Sequence, residues 1–238
     1  MKFYNIYLHI HSVLSPCAHF LMTPGNIIKH SIKRNLDIIA ITDHNSAENV
    51  ETAIKMAEDT ELKIIPGMEV ETKEEVHLLC YFSKLESLLD WQSLIYKKMP
   101  DRKNDEEYFG YQIVTDLNDR YIDKVDRLLA GSVDITIDEV VKEVSKRSGY
   151  IVPAHIDRAN GLLTNLGFVP PDLELPILEV LAETNTEKLK NQYKFLQDHV
   201  LIKNSDSHYL RDIKPMSGLK LLKPCLDEIF FKILQSSY

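Results

Sequence analysis

Seven short segments of the chain are apolar at nearly every position, which is the pattern of strands covered on both faces. They span residues 3–9, 36–42, 62–66, 76–82, 150–154, 177–181 and 199–203. Helical patterns with start signals lie between several of them. These helices are predicted over 25–34 after Thr23-Pro24, 47–58 after Ser46, and 137–147 after Thr136. Strand followed by helix, repeated, predicts an α/β fold with a parallel sheet or barrel.

The stretch from about residue 85 to 148 breaks this rhythm. It contains a predicted helix at 85–99, a charged patch at 101–107 and a hairpin-like segment at 116–123. We interpret it as an insertion after the fourth strand that overhangs one rim of the barrel, and we predict a closing helix at 224–235. The length of 238 residues is typical of one α/β barrel, so a single domain over 1–238 is expected.

Composition and charge narrow the functional classes. Hydrophobic residues make up 44% and charged residues 27%, which is ordinary for a globular protein. The formal net charge of −8 disfavours general affinity for nucleic acid, because Lys and Arg must neutralise backbone phosphates. It does not exclude a phosphorylated substrate, since bound divalent cations reverse the local field.

Targeting signals and the spacing of the cysteines indicate the cellular compartment and the redox state of the thiols. No apolar run approaches about 18 residues and no secretory signal is evident, so a cytoplasmic protein without a membrane partner is expected. Cys17, Cys80 and Cys225 are widely separated and form no CxxC pair. This spacing suggests neither a disulfide framework nor a thiolate zinc site, and reduced thiols are expected.

Side chains of metal-ligand type follow the predicted strands at their carboxyl ends. His9 and His11 lie two residues apart, so both imidazoles point to the same side of the first strand and can reach one ion. Alone, this pair could be two unrelated polar residues. The later strands end in Asp43-His44, Glu69, His155, and Asp206 with His208. Because the carboxyl ends of parallel barrel strands converge on one face, this recurrence predicts a single site.

His77 lies near the start of an otherwise apolar strand, where a lone histidine is more often a hydrogen-bonded core residue. Glu69, eight residues upstream, favours metal binding instead. An antiparallel or edge placement of this strand would let His77 face Glu69.

Imidazole and carboxylate ligands suit Zn, Mn or Fe, with Mg possible, and Glu69 could bridge two ions. Two or three such ions about 3.5 to 4 Å apart would hold a phosphate, generate a hydroxide near neutral pH and stabilise the leaving oxygen. The sequence contains no GxxxxGK[ST] loop and no GxGxxG motif, so binding of nucleoside triphosphates or dinucleotides has no support.

The motifs at the strand ends form a recognisable set. They are His9-x-His11-Ser12 with Thr23-Pro24 downstream, Ile41-Thr42-Asp43-His44-Asn45, Gly67-Met68-Glu69, His77, Pro153-Ala154-His155 and Asn204-Ser205-Asp206-Ser207-His208. This set resembles the PHP family, the polymerase and histidinol phosphatase domain superfamily. The resemblance extends from Tyr4 to about residue 216 and is weakest across 85–148.

The resemblance implies a distorted (β/α)7 barrel, similar to a TIM barrel, with up to three divalent ions. The implied ligands are His9, His11, Glu69 and Asp206 for the first ion, Glu69, His77 and His155 for the second, and His44 and His208 for the third. The third site of the family normally takes another ligand, often an aspartate, from the loop after the first motif. No acidic residue occurs between His11 and Gly25, so His19 is the first candidate substitute and Cys17 the second.

Two further residues are candidates for supporting roles. Arg158 could bind substrate phosphate, because a guanidinium matches two phosphate oxygens. It could equally be a loop arginine paired with Asp157 or Asp212. Asp43 is expected to orient His44 or a neighbouring ligand rather than to bind metal. The predicted catalytic residues are Asp206, His208 and Arg158.

Three functions are consistent with these observations. The leading hypothesis is hydrolysis of a phosphomonoester of a small molecule (a nucleotide, sugar or histidinol phosphate) by in-line attack of a metal-bound hydroxide. The second is phosphodiester cleavage, as a 3′-to-5′ exonuclease on short nucleic acid, although the acidic chain lacks a basic stripe interleaved with aromatics. The third is a non-catalytic, metal-stabilised regulatory domain, which a single closed mononuclear site would favour. The oligomeric state is left open.

Overall fold

The structure is a computed structural model that describes residues 1–215 and 217–235. Its strands are β1 (Lys2–Ile10), β2 (Ile38–Ile41), β3 (Lys63–Glu71), β4 (His77–Tyr81), β5 (Ile113–Thr115), β6 (Tyr121–Lys124), β7 (Tyr150–Pro153), β8 (Ile177–Leu181), β9 (Val200–Asn204) and β10 (Ser217–Leu221). Its α-helices are α1 (Pro24–Lys33), α2 (Val50–Ala57), α3 (Leu85–Lys98), α4 (Ile137–Lys146), α5 (Leu162–Asn165), α6 (Thr186–Gln192) and α7 (Leu226–Gln235). Short 3-10 helices span Lys194–Asp198 and Leu210–Asp212.

A curled, mixed sheet forms the centre of the molecule. Six strands have the order β10-β1-β2-β3-β4-β7, and β8 and β9 form a parallel pair. Backbone N–H groups of Ile156 and His11 donate to the carbonyl oxygens of Glu179 (2.8 Å) and Ser207 (3.0 Å), which places the β8–β9 pair between β7 and β1. The predicted barrel-like α/β fold is therefore confirmed, whereas the exact number of β/α units stays a prediction.

Two strands depart from the parallel arrangement that the alternation of strands and helices predicted, and β4 has the antiparallel placement that the sequence left open for the strand of His77. β4 is antiparallel to both β3 and β7, in an interior position, and β10, which the apolar pattern did not predict, is antiparallel to β1. Only residues 72–76 connect β3 to β4, and so short a link closes a hairpin, whereas a parallel crossover needs a dozen or more residues. The start of β4 therefore lies beside the end of β3, with Glu71 opposite His77.

The helix-start signals were confirmed at two of three positions. Thr23 and Thr136 are the N-caps of α1 and α4, and Thr136 forms a reciprocal capping box with Glu139. The prediction at Ser46 was wrong, because α2 begins only at Val50. The Ser46 hydroxyl instead lies 2.7 Å from the Tyr96 hydroxyl, so a tertiary contact with α3 takes the place of a cap.

Apolar layers cover both faces of the curled sheet and leave one end polar. The inner layer includes side chains of β1, β2, β4 and β7 together with one face of α7. Phe230 of α7 packs on Tyr81 and Tyr150, with ring centroids 5.7 and 4.3 Å away, at the amino ends of the parallel strands. The buried polar residues therefore lie at the opposite end of the sheet, at the carboxyl ends of the parallel strands.

The segment 85–148 lies between the neighbouring strands β4 and β7 and contains α3, the β5–β6 hairpin and α4. The hairpin reaches the helices on the outer face: Asp119 accepts a hydrogen bond from the Gly25 N–H (2.8 Å), and the Thr115 carbonyl accepts one from Thr52 (3.2 Å). Its status as an insertion in a single domain stays a prediction. No helix in the described ranges is long and apolar enough to cross a membrane.

Candidate metal centre

Histidine and carboxylate side chains converge at the carboxyl ends of the parallel strands. They are His9, His11, His44, Glu69, His77, His155, Asp206 and His208, and all but His208 are buried. His77 joins this group because β4 runs antiparallel, so the first residue of β4 lies at the rim where the other strands end. The structure thus brings together eight of the nine predicted metal ligands.

Glu69 lies at the centre of the cluster. Its Oε1 atom is 3.1 Å from His77 Nδ1 and 3.2 Å from His155 Nε2. Its Oε2 atom is 2.9 Å from His44 Nδ1 and 3.4 Å from His11 Nε2. Two oxygens that face different imidazoles give Glu69 the geometry of a ligand that bridges two ions.

Asp206 approaches the cluster from the loop after β9. Its Oδ1 atom is 3.0 Å from His11 Nε2 and 3.2 Å from His9 Nε2, and the His208 Nδ1 atom is 3.5 Å away. The backbone φ angles of Asp206 (47°) and His155 (28°) lie in the left-handed region, which non-glycine residues seldom adopt. Such strain at strand ends is typical of positions where a side chain is aimed into a site.

The arrangement of the donor atoms fits divalent ions. Three sets of side chains each place one donor atom per residue within 4.8 Å of the others: His9, His11 and Asp206; His44, Glu69 and His77; and His11, His44 and His208. Within the described part of the chain, Glu69 Oε2 and Asp206 Oδ1 are buried and accept no hydrogen bond of good geometry, although imidazole nitrogens lie 2.9 and 3.0 Å from them. A buried carboxylate oxygen without a partner is costly, and a cation among these imidazoles would compensate it. The donor set suits Zn, Mn or Fe, and the individual ligand roles stay predictions.

The charges within the cluster set the protonation state of the ligands. Burial raises the pKa of Glu69, but the positive charges of His77 and His9 outweigh it and hold that pKa well below its ordinary value. Burial and the charge of His208 hold the pKa of His11 well below 6.5. Glu69 and His11 are thus in the forms that bind metal, whereas neighbouring carboxylates raise the pKa values of His9 and His77, so that a bound ion would displace protons from these rings.

Glu179, which was not predicted, holds the outer nitrogen of His9. Its Oε1 atom is 2.8 Å from His9 Nδ1 and also accepts from the His155 N–H (3.2 Å), while Oε2 accepts from Asn204 Nδ2 (2.7 Å). The signal was present in the sequence, since Glu179 is the only charged residue of the apolar run Ile177–Leu181. A carboxylate on the far nitrogen fixes the tautomer in which Nε2 of His9 is free to bind metal.

Asp43 is completely buried and acts through two serines. It accepts hydrogen bonds of 2.6 Å from the Ser12 N–H, the Ser12 hydroxyl and the Ser15 hydroxyl. Ser15 Oγ is in turn 3.0 Å from His11 Nδ1 and accepts from the His44 N–H (3.1 Å). This geometry supports the predicted orienting role, with Ser15, which was not singled out in the sequence, as the intermediary.

Arg158 lies at the open side of the cluster. Its Nη1 atom donates to Asp206 Oδ2 (2.7 Å), and its side chain is 44% exposed. Its ion-pair partner is thus Asp206, whereas Asp157 accepts from Thr184 and Asp212 lies 3.8 Å from Arg211 Nε, and both the structural and the phosphate-binding role of Arg158 stay predictions. The cluster thus has at its edge a partly exposed guanidinium that is anchored to a candidate ligand.

His19 is the one predicted ligand that lies outside the cluster. Its ring stacks near those of Phe20 and Tyr209, with centroids 4.5 and 5.4 Å away, and its backbone N–H donates to the His208 carbonyl (2.9 Å). Among the described residues, no set of donor atoms includes either His19 or Cys17. Cys17 lies closer, with Sγ 3.0 Å from His208 Nε2.

Comparison with solved structures places this architecture among known proteins. The lesion-specific endonuclease PfuEndoQ from Pyrococcus furiosus superimposes with a TM-score of 0.75 at 18% identity, over 98% of this chain and 56% of that chain. Endonuclease Q in complex with a 27-mer duplex carrying an abasic lesion at the active site gives 0.70 at 17% identity, again over 98% and 56%. This chain thus spans little more than half the length of the endonuclease Q chains.

A further relative matches along nearly its whole length. A protein from Bifidobacterium adolescentis, described as a metal-dependent phosphoesterase, gives a TM-score of 0.59 at 17% identity, over 96% of this chain and 95% of that chain. A comparison with curated protein sequences gave no significant match. The sequence model of the PHP domain matches residues 7–152, more than half of the chain and most of the cluster. The chain therefore belongs to the PHP domain family.

Proposed function

We propose that this chain hydrolyses phosphoesters at a centre of two or three divalent metal ions. The observation that carries the proposal is the convergence of six histidines with Glu69 and Asp206 at one end of the barrel, where buried carboxylate oxygens accept no hydrogen bond of good geometry among the described residues. A purely structural site seldom needs more than four closed ligands. Eight converging candidates therefore favour a multinuclear catalytic centre over a regulatory domain.

Different residues of the chain would hold the metal ions and bind the phosphate. His9, His11 and Asp206 would hold one ion, and Glu69 would bridge it to a second held by His77 and His155. When bound, such ions polarise a phosphoryl group and lower the pKa of a water molecule. Arg158 would bind a phosphate oxygen from the open side, beside His208, whose side chain is 19% exposed.

A phosphomonoester of a small molecule is the leading substrate class. The net charge of −8 disfavours long nucleic acids. The anchored Arg158, by contrast, offers a local positive charge large enough for one phosphate group.

The test is metal content and p-nitrophenyl phosphate hydrolysis of the purified chain, beside His9→Ala and Asp206→Ala. Two or three ions per chain, with turnover lost in both variants and on chelation, would support the proposal. His30→Ala is the matched control and should retain activity, because His30 is a half-buried residue of α1 whose ring accepts a hydrogen bond from Arg34. One ion or none, with no turnover after Zn or Mn is restored, would favour the regulatory domain.

Phosphodiester cleavage in nucleic acid is the second candidate, and an exposed aromatic surface favours it. Phe20 and Tyr209 are 67% and 42% exposed, and the Arg211 guanidinium lies 4.8 Å above the Tyr209 ring. Tyr209 directly follows His208, so a base stacked there would lie beside a phosphate at the metal centre. The fold likeness to endonuclease Q supports the same reading.

Two substrates separate the candidates. A single-stranded oligonucleotide and an abasic duplex would be compared with p-nitrophenyl phosphate in Phe20→Ala and Tyr209→Ala variants. Nucleic-acid cleavage predicts a KM for the oligonucleotide that rises about tenfold with an unchanged rate on the small ester, since stacking contributes about 1–3 kcal/mol per base. Tyr121→Ala, an exposed tyrosine on the β5–β6 hairpin, is the control.

A further inference from the structure

Cys17 occupies the open side of the cluster, at the position where the family resemblance leaves a ligand unassigned. Its Sγ atom is 3.0 Å from His208 Nε2, and its charge acts on the neighbouring His44. Both histidines belong to the set that places three imidazole donors within 4.8 Å of one another. The thiol therefore contacts one imidazole of a candidate ion site and lies beside a second.

A second observation points to a ligand at this place. Glu69 Oε2 is buried and lies 2.9 Å from His44 Nδ1, but it accepts no hydrogen bond of good geometry among the described residues. The imidazoles of His44 and His208 therefore lie between two potential anionic donors, the Glu69 carboxylate next to His44 and the Cys17 thiol next to His208.

We propose that the Cys17 thiolate is a ligand of the third metal ion, together with His44 and His208. The inference rests on the proposed metal centre and replaces His19, whose ring stacks on Phe20 instead. On binding, the thiol proton passes to solvent and a sulfur–metal bond forms, with no change of oxidation state.

The loop that carries Cys17 is held from both sides. The Ser15 hydroxyl donates to the buried Asp43, and the Ala18 N–H donates to the Ser15 carbonyl (2.9 Å), which closes a turn around Cys17. On the outer side, the Pro16 carbonyl lies so close to Gly110 that a Cβ there would stand 2.1 Å from it. The thiol is therefore presented by a loop with little freedom to move, which lowers the entropic cost of ligation.

A thiolate changes which metal the third site selects. Sulfur is a soft donor that favours Zn, Fe or Co over Mg and Mn, whereas the first two sites offer only imidazole and carboxylate. The chain would therefore retain a thiophilic third ion in a medium rich in Mg or Mn.

The experiment replaces the native ions with Co(II) and requires no substrate. Wild type should bind three cobalt ions per chain and show a near-ultraviolet sulfur-to-cobalt charge-transfer band. Cys17→Ser should lose the band and one ion, whereas Cys17→Asp should lose the band and keep three ions, because it supplies an oxygen ligand. His19→Ala and Cys225→Ser, which alters another exposed thiol, should match wild type.

The inference is overturned if wild type shows no such band, if Cys17→Ser retains it, or if His19→Ala loses the third ion. Circular dichroism would establish that each variant is folded. The readouts of this experiment are absorbance and ion count, so they do not depend on turnover. An intact charge-transfer band without turnover would contradict the phosphoesterase proposal but would still support Cys17 as a metal ligand.

Discussion

Replacing Glu179 with glutamine should weaken metal binding although Glu179 is not itself a proposed ligand. The carboxylate receives three donors: His9 Nδ1 (2.8 Å), the His155 N–H (3.2 Å) and Asn204 Nδ2 (2.7 Å). A glutamine has one oxygen and one NH2 group, so one of these donors must then face another donor. Glu179→Gln therefore either removes the bond that orients His9 or places two N–H groups against each other beside Asn204.

The magnitude follows from these contacts. A hydrogen bond to a charged group contributes about 1.5–3 kcal/mol, and loss of a partner behind a ligand histidine typically costs roughly 10- to 100-fold in metal affinity. The two estimates agree, since a tenfold change in affinity corresponds to about 1.4 kcal/mol. We therefore expect a 10- to 100-fold weaker first ion, with little change in the fold.

Competition with a chromophoric chelator for Zn would measure the affinity, and thermal unfolding of the metal-free protein would report the fold. Glu183→Gln is the matched control, because it removes one charge from an exposed position just after β8 and should leave the affinity unchanged. An affinity of Glu179→Gln within twofold of wild type would refute the argument that this carboxylate fixes the His9 tautomer.

Three further predictions test other parts of the structure. Tyr7→Phe should lower the free energy of unfolding by about 1–3 kcal/mol in urea titrations, because the buried hydroxyl of Tyr7 bonds Ser205 and Ser207 beside the Asp206 loop; an unchanged midpoint would contradict this. Thr136→Ala should lower the free energy of unfolding by about 1 kcal/mol and the Tm by about 2–4 °C, because it removes the capping box of α4, and it should not affect metal binding. Burial lowers the pKa of His9, but the charges of Glu179, Asp206 and Glu69 outweigh it and raise this pKa well above 6.5. The contribution of His9 to the stability of the metal-free protein is thus complete below pH 6.5 and lost as the pH rises through the folded pKa, which Tm measurements of the chelated protein from pH 6.5 upward would show as a decline.

The candidate ligands could be predicted from the sequence because their positions follow from local sequence patterns. Apolar runs predicted the strands. A histidine or carboxylate directly after such a run indicated the carboxyl end of a parallel strand, and this prediction does not depend on how the other strands pair. This reasoning located His9, His11, Glu69, His155 and Asp206 without knowledge of which strands are neighbours. The cap of α4 at Thr136 was equally local, because the capping box closes within one helical turn.

Pairing between strands that are distant in sequence determined the features of the site that the sequence did not predict. The direction of β4, and hence the approach of His77 to Glu69, depends on a hairpin whose partners are chosen by long-range packing. Glu179 became a partner of His9 only because the curled sheet brings residues 170 positions apart into contact.

The proposal of Cys17 over His19 as a ligand also depends on tertiary structure. Both residues lie in one short loop of suitable composition, and the sequence alone favoured the histidine. The structure holds this loop between the buried Asp43 and Gly110, and in that conformation the thiol of Cys17 faces His208 while the ring of His19 turns towards Tyr209. Residue types are a property of the sequence, but the direction in which a loop presents them depends on contacts with distant segments, and these exist only once the chain has folded.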